Sequence, residues 1–84
     1  MTGEDLELRV RDVLAEASRR DVSMLGADDD LIEALGLDSL QGLQVLALME
    51  KRFSVRFPDH RLAELRTIRR LASAIADVRD GRAP

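Results

Sequence analysis

Apolar residues in this chain recur at helical intervals in three stretches, and the middle stretch carries two stripes where a surface helix needs one. In the first, Leu6, Val10, Val13, Leu14 and Ala17 alternate with Glu7, Arg9, Arg11, Asp12 and Glu16. That spacing predicts an amphipathic helix over residues 3–19, opened by the start signal Thr2-Gly3-Glu4-Asp5. Residues 20–37 keep no period. Val22, Met24 and Leu25 are expected to dip towards the core and Asp28, Asp29 and Asp30 to stay solvated. A loop this long is functional or pinned by its own apolar residues, here Leu25, Leu31 and Leu35, with room for one short helical turn, and Gly36 permits a sharp turn at its end.

The second helix is predicted from Ser39 to Phe53. Val45, Leu46, Met49 and Phe53 form one stripe, and Leu40, Leu43 and Ala47 form another. Two readings follow: a central helix buried on both sides, or a helix that keeps one stripe exposed for docking. Gly42 weakens its first turns slightly and allows close approach. Ser54 to Phe57 breaks the period and Pro58-Asp59 redirects the chain. A short helix over 60–65 turns Leu62 and Leu65 inward. Thr67 caps a last helix carrying Ile68, Leu71, Ile75 and Val78, which Asp80-Gly81 ends before a frayed Arg82-Ala83-Pro84. The expectation is an all-α fold with an aliphatic core: three main helices, one short helix and a long first loop.

Local chemistry concentrates at the start of the second helix. Asp38 suits an N-cap, with Gln41 three residues on where a capping-box partner belongs. Ser39 then occupies the first helical position, where the macrodipole favours an anionic group on its hydroxyl. The plain alternative is an ordinary first-turn serine.

Composition narrows the picture. Eighty-four residues make one domain, read as residues 1–84, too small for a deep enclosed active site. There is no cysteine, so no disulfide framework or thiolate metal site. No apolar run reaches membrane-spanning length and no signal-peptide core opens the chain, so the cytoplasm is the expected setting. Residues 1–42 hold 11 acids and 4 bases, and residues 43–84 hold 5 acids and 9 bases, within a net charge of −3. Such asymmetry speaks first to partners. With two Phe and no Trp or Tyr, the basic half lacks platforms for stacking bases, which argues against nucleic acid.

Other constellations are weaker. A hydrolase using Ser39, His60 and Asp38 lacks the Gly-x-Ser-x-Gly elbow, and adjacency in sequence does not place Asp38 behind the histidine. His60 reads as a solvated residue. Asp28 to Asp30 lack the spacing of a calcium loop. The arginines from 61 to 70 read as solvent faces first and a partner patch second.

The whole layout resembles the acyl carrier proteins and their peptidyl carrier relatives. The resemblance rests on Leu31-Ile32-Glu33-Ala34-Leu35-Gly36, then Leu37-Asp38-Ser39-Leu40, then Phe53, Phe57-Pro58-Asp59 and Thr67-Ile68, spanning about residues 5–78. It implies a four-helix bundle of that family, with no catalytic residue. Ser39, beside Asp38, would receive 4′-phosphopantetheine from coenzyme A by a separate phosphopantetheinyl transferase using magnesium. The arm's thiol would hold an acyl or aminoacyl group as a thioester, charged by a loading ligase and passed to downstream synthase or transferase enzymes. The resemblance puts Leu40, Leu43, Gln44 and Ala47 on the partner face. It sets Leu37, Phe57 and Leu62 beside the arm, and Val45, Leu46, Met49 and Phe53 in the core. The chain is further expected to be a monomer bound to neither membrane nor nucleic acid.

One departure matters. Family members of fatty acid synthesis carry a strongly acidic second helix, whereas here Gln41 and Gln44 precede Glu50-Lys51-Arg52, with Arg56, Arg61, Arg66, Arg69 and Arg70 beyond. Weaker acidic steering is expected. A dedicated carrier of a polyketide, a peptide or a single amino acid is the first reading, and a fatty acid carrier the second. An unmodified adaptor binding through Leu40, Leu43 and Ala47 is the reading of a different class.

Overall fold

A computed structural model describes residues 3–81, with side chains from Asp5 onward. The expected cap at Thr2 and the frayed end at 82–84 lie outside the described residues. Four α-helices run Gly3–Ser18 (α1), Leu31–Leu35 (α2), Ser39–Phe53 (α3) and Ile68–Arg79 (α4), with a 3₁₀ segment at Asp59–Glu64 between the last two. The fold is the all-α bundle expected, with a short helix, α2, inside the long first loop and the short segment after α3 in 3₁₀ form.

Each boundary has a local cause. Asp30 caps α2 by accepting from the Ile32 and Glu33 amides, and Gly36, at φ 62°, ends it in the left-handed region. Thr67 caps α4 by accepting from the Arg70 amide. Ser54, at φ 54°, closes α3. The Glu50 carboxylate then takes the Phe57 amide hydrogen at 2.7 Å and steadies the chain as it leaves.

α1 packs against both α3 and α4. Between them lie Leu6, Val10, Val13 and Leu14 from α1, Val45, Met49 and Phe53 from α3, and Ile68, Leu71, Ala72, Ala74 and Ile75 from α4. Arg9 lies over the Phe53 ring, 5.2 Å from its centroid.

The long first loop is fastened along its length. Val22, Leu31 and Leu35 are buried and Leu25 packs against the core from its edge. Met24 does not dip inward; it is 92% exposed. The loop's backbone is held instead by Arg11, whose guanidinium donates to the carbonyls of Leu25 at 2.6 Å and Val22 at 3.3 Å. Farther on, the Arg69 amide donates to the Ala27 carbonyl and the Leu31 amide to the Arg66 carbonyl. Asp28 pairs with Arg69 at 2.8 Å and Asp30 with Arg66 at 2.6 Å.

These pairs revise the reading of the charge asymmetry. Asp28–Arg69, Asp30–Arg66 and Glu16–Arg52 each join the acidic half of the sequence to the basic half. Arg61 is engaged by Glu64 and Asp77. Much of the imbalance is therefore complementarity within the fold.

Candidate functional site

The site is assembled at the mouth of α3. The Asp38 carboxylate accepts from the Gln41 amide at 2.8 Å, and the Gln41 side-chain oxygen accepts from the Asp38 amide at 3.0 Å, completing the capping box. This reciprocal lock holds Ser39 at the first helical position, exposed. Its hydroxyl makes no hydrogen bond among the described residues, and no protein group there accepts the Ser39 or Leu40 amide hydrogens. An anionic substituent on Oγ would meet unpaired donors and the positive end of a fifteen-residue helix.

Beside Ser39 opens a groove of about 380 Å³. Leu31 and Ile32 of α2 form one wall, Gly42, Leu43 and Leu46 of α3 another, and Leu62 and Ala63 of the 3₁₀ segment a third. Gly42 is what brings α2 so close: a Cβ there would sit 3.2 Å from Ile32 Cδ1. Arg66, paired with Asp30, stands among the lining residues. The space is apolar, open to solvent and adjacent to an unbonded hydroxyl, which suits an extended arm anchored at Ser39.

Acid groups near the groove are tuned by their partners. Burial pushes the Asp30 carboxyl up, but the Arg66 guanidinium and the Glu33 and Ile32 amides outweigh it and hold it below the ordinary value. The hydrogen bond from Arg69 likewise holds Asp28 low.

The sequence-derived residues fall into three groups. Leu40, Leu43, Gln44 and Ala47 lie on the outer face of α3, with Leu40 64% and Leu43 55% exposed. Leu62 is half-buried in the groove wall. Leu37 and Phe57, expected beside the arm, are core residues at 8% and 3% exposed, because Gly36 and the Glu50 bond turn their backbones inward. Leu37 still contributes to the groove floor; Phe57 does not reach it. Leu46, expected in the core, is half-buried in the groove. Missed from the sequence were Ile32, Ala63 and Arg66 as lining residues. Only the i, i+3, i+4, i+7 run of Ser39, Gly42, Leu43 and Leu46 hinted that one face of α3 continues from the serine.

The hydrolase constellation does not assemble. The Asp38 carboxylate is spent on the cap, and no hydrogen bond joins the exposed His60 to Ser39 or Asp38 among the described residues. No metal-binding cluster occurs among the described residues. Among the described residues no helix is long and apolar enough to cross a membrane.

Comparison with known proteins supplies the context. A family model described as a phosphopantetheine attachment site matches residues 8–75. An acyl carrier protein of Streptomyces coelicolor is 34% identical over 70 residues, 81% of this chain and 75% of that one. An acyl carrier protein of Bdellovibrio bacteriovorus is 31% identical over 65 residues, 77% of this chain and 83% of that one. A segment of the non-reducing polyketide synthase dbaI of Emericella nidulans is 30% identical over 76 residues, 90% of this chain but 3% of that protein.

Proposed function

Because the chain belongs to the phosphopantetheine attachment-site family of acyl carrier proteins and their peptidyl relatives, we propose that residues 1–84 form one carrier domain and that Ser39 is its attachment residue. The family's members are carriers and not catalysts, and their covalent cofactor is 4′-phosphopantetheine. That group supplies a terminal thiol on which acyl or aminoacyl cargo is held in activated form.

The chain's own contribution is positional. Ser39 Oγ bonds to the phosphorus of coenzyme A that bears the pantetheine, and adenosine 3′,5′-bisphosphate leaves; the hydroxyl proton passes to the transferase, which also brings magnesium. Asp38 and Gln41 keep that hydroxyl at the helix mouth, and the free first-turn amides lie nearest the negative charge that remains. Leu31, Ile32, Leu43, Leu46 and Leu62 offer apolar surface to whatever extends from Ser39. One observation carries this reading: an exposed, unbonded serine hydroxyl, locked by a capping box at the rim of an apolar groove.

We place the protein in the cytoplasm as a monomer, serving a dedicated pathway (polyketide, peptide or single amino acid) ahead of fatty acid synthesis. The absence of acids along the outer face of α3 supports this placement, and so does the similarity to a segment of a polyketide synthase. Its further partners are a loading ligase and downstream synthase or transferase enzymes.

Co-expression with a broad-specificity phosphopantetheinyl transferase, followed by intact-protein mass spectrometry, tests the attachment. A gain of one phosphopantetheine that disappears in Ser39→Ala is expected. No gain in either protein overturns the carrier reading in favour of an unmodified adaptor. Charging the modified protein with acyl and aminoacyl ligases in parallel then identifies the cargo class.

A further inference from the structure

Most arginines near the site are used by the fold. Arg11 holds two loop carbonyls, Arg52 pairs with Glu16, Arg61 with Glu64 and Asp77, Arg66 with Asp30 and Arg69 with Asp28. Arg19 and Arg20 directly follow α1 and are different. Both are exposed, and neither side chain makes an ion pair or a hydrogen bond among the described residues. The carboxylates around them are committed elsewhere. Asp21, next in sequence, accepts the Ser23 amide hydrogen at 2.9 Å, and Asp38 accepts that of Gln41.

The turn that carries the pair is fixed. Arg19 leaves α1 in the left-handed region, at φ 57°, with its amide donating to the Ala15 carbonyl at 2.9 Å. The Arg20 amide then donates to the Ser18 hydroxyl at 3.3 Å. Glycine or asparagine would take that conformation at less cost, so arginine contributes charge there and not ease of turning. The two side chains border the segment that leads into α3. Arg19 lines a recess of about 160 Å³ together with Ser18, Leu37, Gln41 and Gln44. Arg20 Nη1 stands 4.0 Å from the point that a Cβ on Gly36 would occupy. Gly36 is three residues before Ser39, at most about 10 Å along the chain. An unpartnered arginine side chain can swing across such a gap.

Resting on the reading of Ser39 as the attachment residue, we propose that Arg19 and Arg20 bind the phosphodiester at the base of the arm, as a phosphate clamp supplied by the end of α1. That phosphodiester is a monoanion with two free oxygens, and a guanidinium matches such a pair with parallel N–H donors. Before modification the two positive charges stand together with no counterion from the fold; attachment brings one. The clamp ties the end of α1 to the head of α3 through the phosphate. It restrains the first atoms of the arm and leaves the pantetheine beyond them free to move.

The test compares thermal melting of the apo and phosphopantetheinylated forms, with loading run to completion by intact mass. Three proteins are used: wild type, Arg19→Gln/Arg20→Gln, and Lys51→Gln/Arg56→Gln, which removes the same charge near the far end of α3. At roughly 50 mM NaCl, modification is expected to raise the wild-type melting temperature by about 2–4 °C, the scale of an exposed charged pair in a chain of this size. At roughly 500 mM the gain should fall below about 1 °C, because exposed charges are then strongly screened. The Arg19/Arg20 variant should show no gain at either salt, while the Lys51/Arg56 variant keeps that of wild type. Each comparison is between two forms of one variant, so the variant's own stability cancels. The phosphorus NMR resonance of the modified protein should move when Arg19 and Arg20 are removed and stay in place in the far variant. Arg19→Lys/Arg20→Lys should restore part of the thermal gain. An equal gain in all three proteins, or a phosphorus resonance indifferent to the two arginines, overturns the clamp alone. Failure of the wild type to accept phosphopantetheine removes the reading of Ser39 beneath it.

Discussion

The two faces of α3 carry the same kinds of side chain and meet opposite surroundings. Val45, Met49 and Phe53 are enclosed by α1 and α4, while Leu40, Leu43 and Ala47 face solvent beside Ser39. The inner face holds the fold together. The outer face leaves its apolar surface exposed, and the groove between α3 and α2 lies at the border of the two. A helix with one half buried and the other exposed can present its first turn to solvent without drawing on its core.

The sharpest way to break this contrast is a matched pair of truncations. Phe53→Ala is expected to lose about 3–5 kcal/mol, a packed ring replaced by a cavity, while Leu43→Ala loses less than about 1 kcal/mol. Urea denaturation reads both, and equal losses would make α3 buried all round. Next in size is the cap that aims the outer face. Asp38→Ala should cost about 1 kcal/mol and slow the modification of Ser39, since both halves of the capping box go together; unchanged loading would detach the cap from the site.

Gly42→Ala probes the border. Alanine favours the helix by up to about 1 kcal/mol, and the contact it forces falls on the tip of Ile32, which lines open space and can yield. A net gain of about half a kcal/mol is expected, together with a narrower groove that admits less of a hydrophobic dye. A marked loss of stability would show the groove side to be as tightly packed as the core.

The smallest effect concerns the ties that hold the loop to the start of α4. Asp28 and Asp30 titrate below the ordinary 3.8 because of Arg69 and Arg66. Their contribution is complete above 3.8 and is lost as pH falls below it through the lowered folded-state values. Melting temperature should therefore drop more steeply below this point in wild type than in Asp28→Asn, and added salt should shrink the difference. Identical profiles would leave the Asp28–Arg69 pair without a share in stability.

Much of the site was readable in advance because its causes are local. Asp38, Ser39 and Gln41 lie within one turn, and a capping box is an agreement among neighbours. The period of α4 and the caps at Thr67 and Gly36 belong to the same class. The placement of Leu37 and Phe57 was not readable: both flank turns, and an apolar residue after a turn can face inward or line a surface with equal local consistency. Ile32, Ala63 and Arg66 escaped notice because they come from three elements that meet only in space.

By itself, then, the sequence determined the course of the three long helices, the caps that open α3 and α4, and that a serine sits at the head of the central one. These depend on hydrogen bonds and capping contacts spanning three or four residues. Which stripe of α3 is covered, and that Asp30 and Asp28 meet arginines 36 and 41 residues away, only the tertiary structure decided. Apolar attraction has no direction of its own, so the two stripes were equivalent until α1 and α4 closed over one of them.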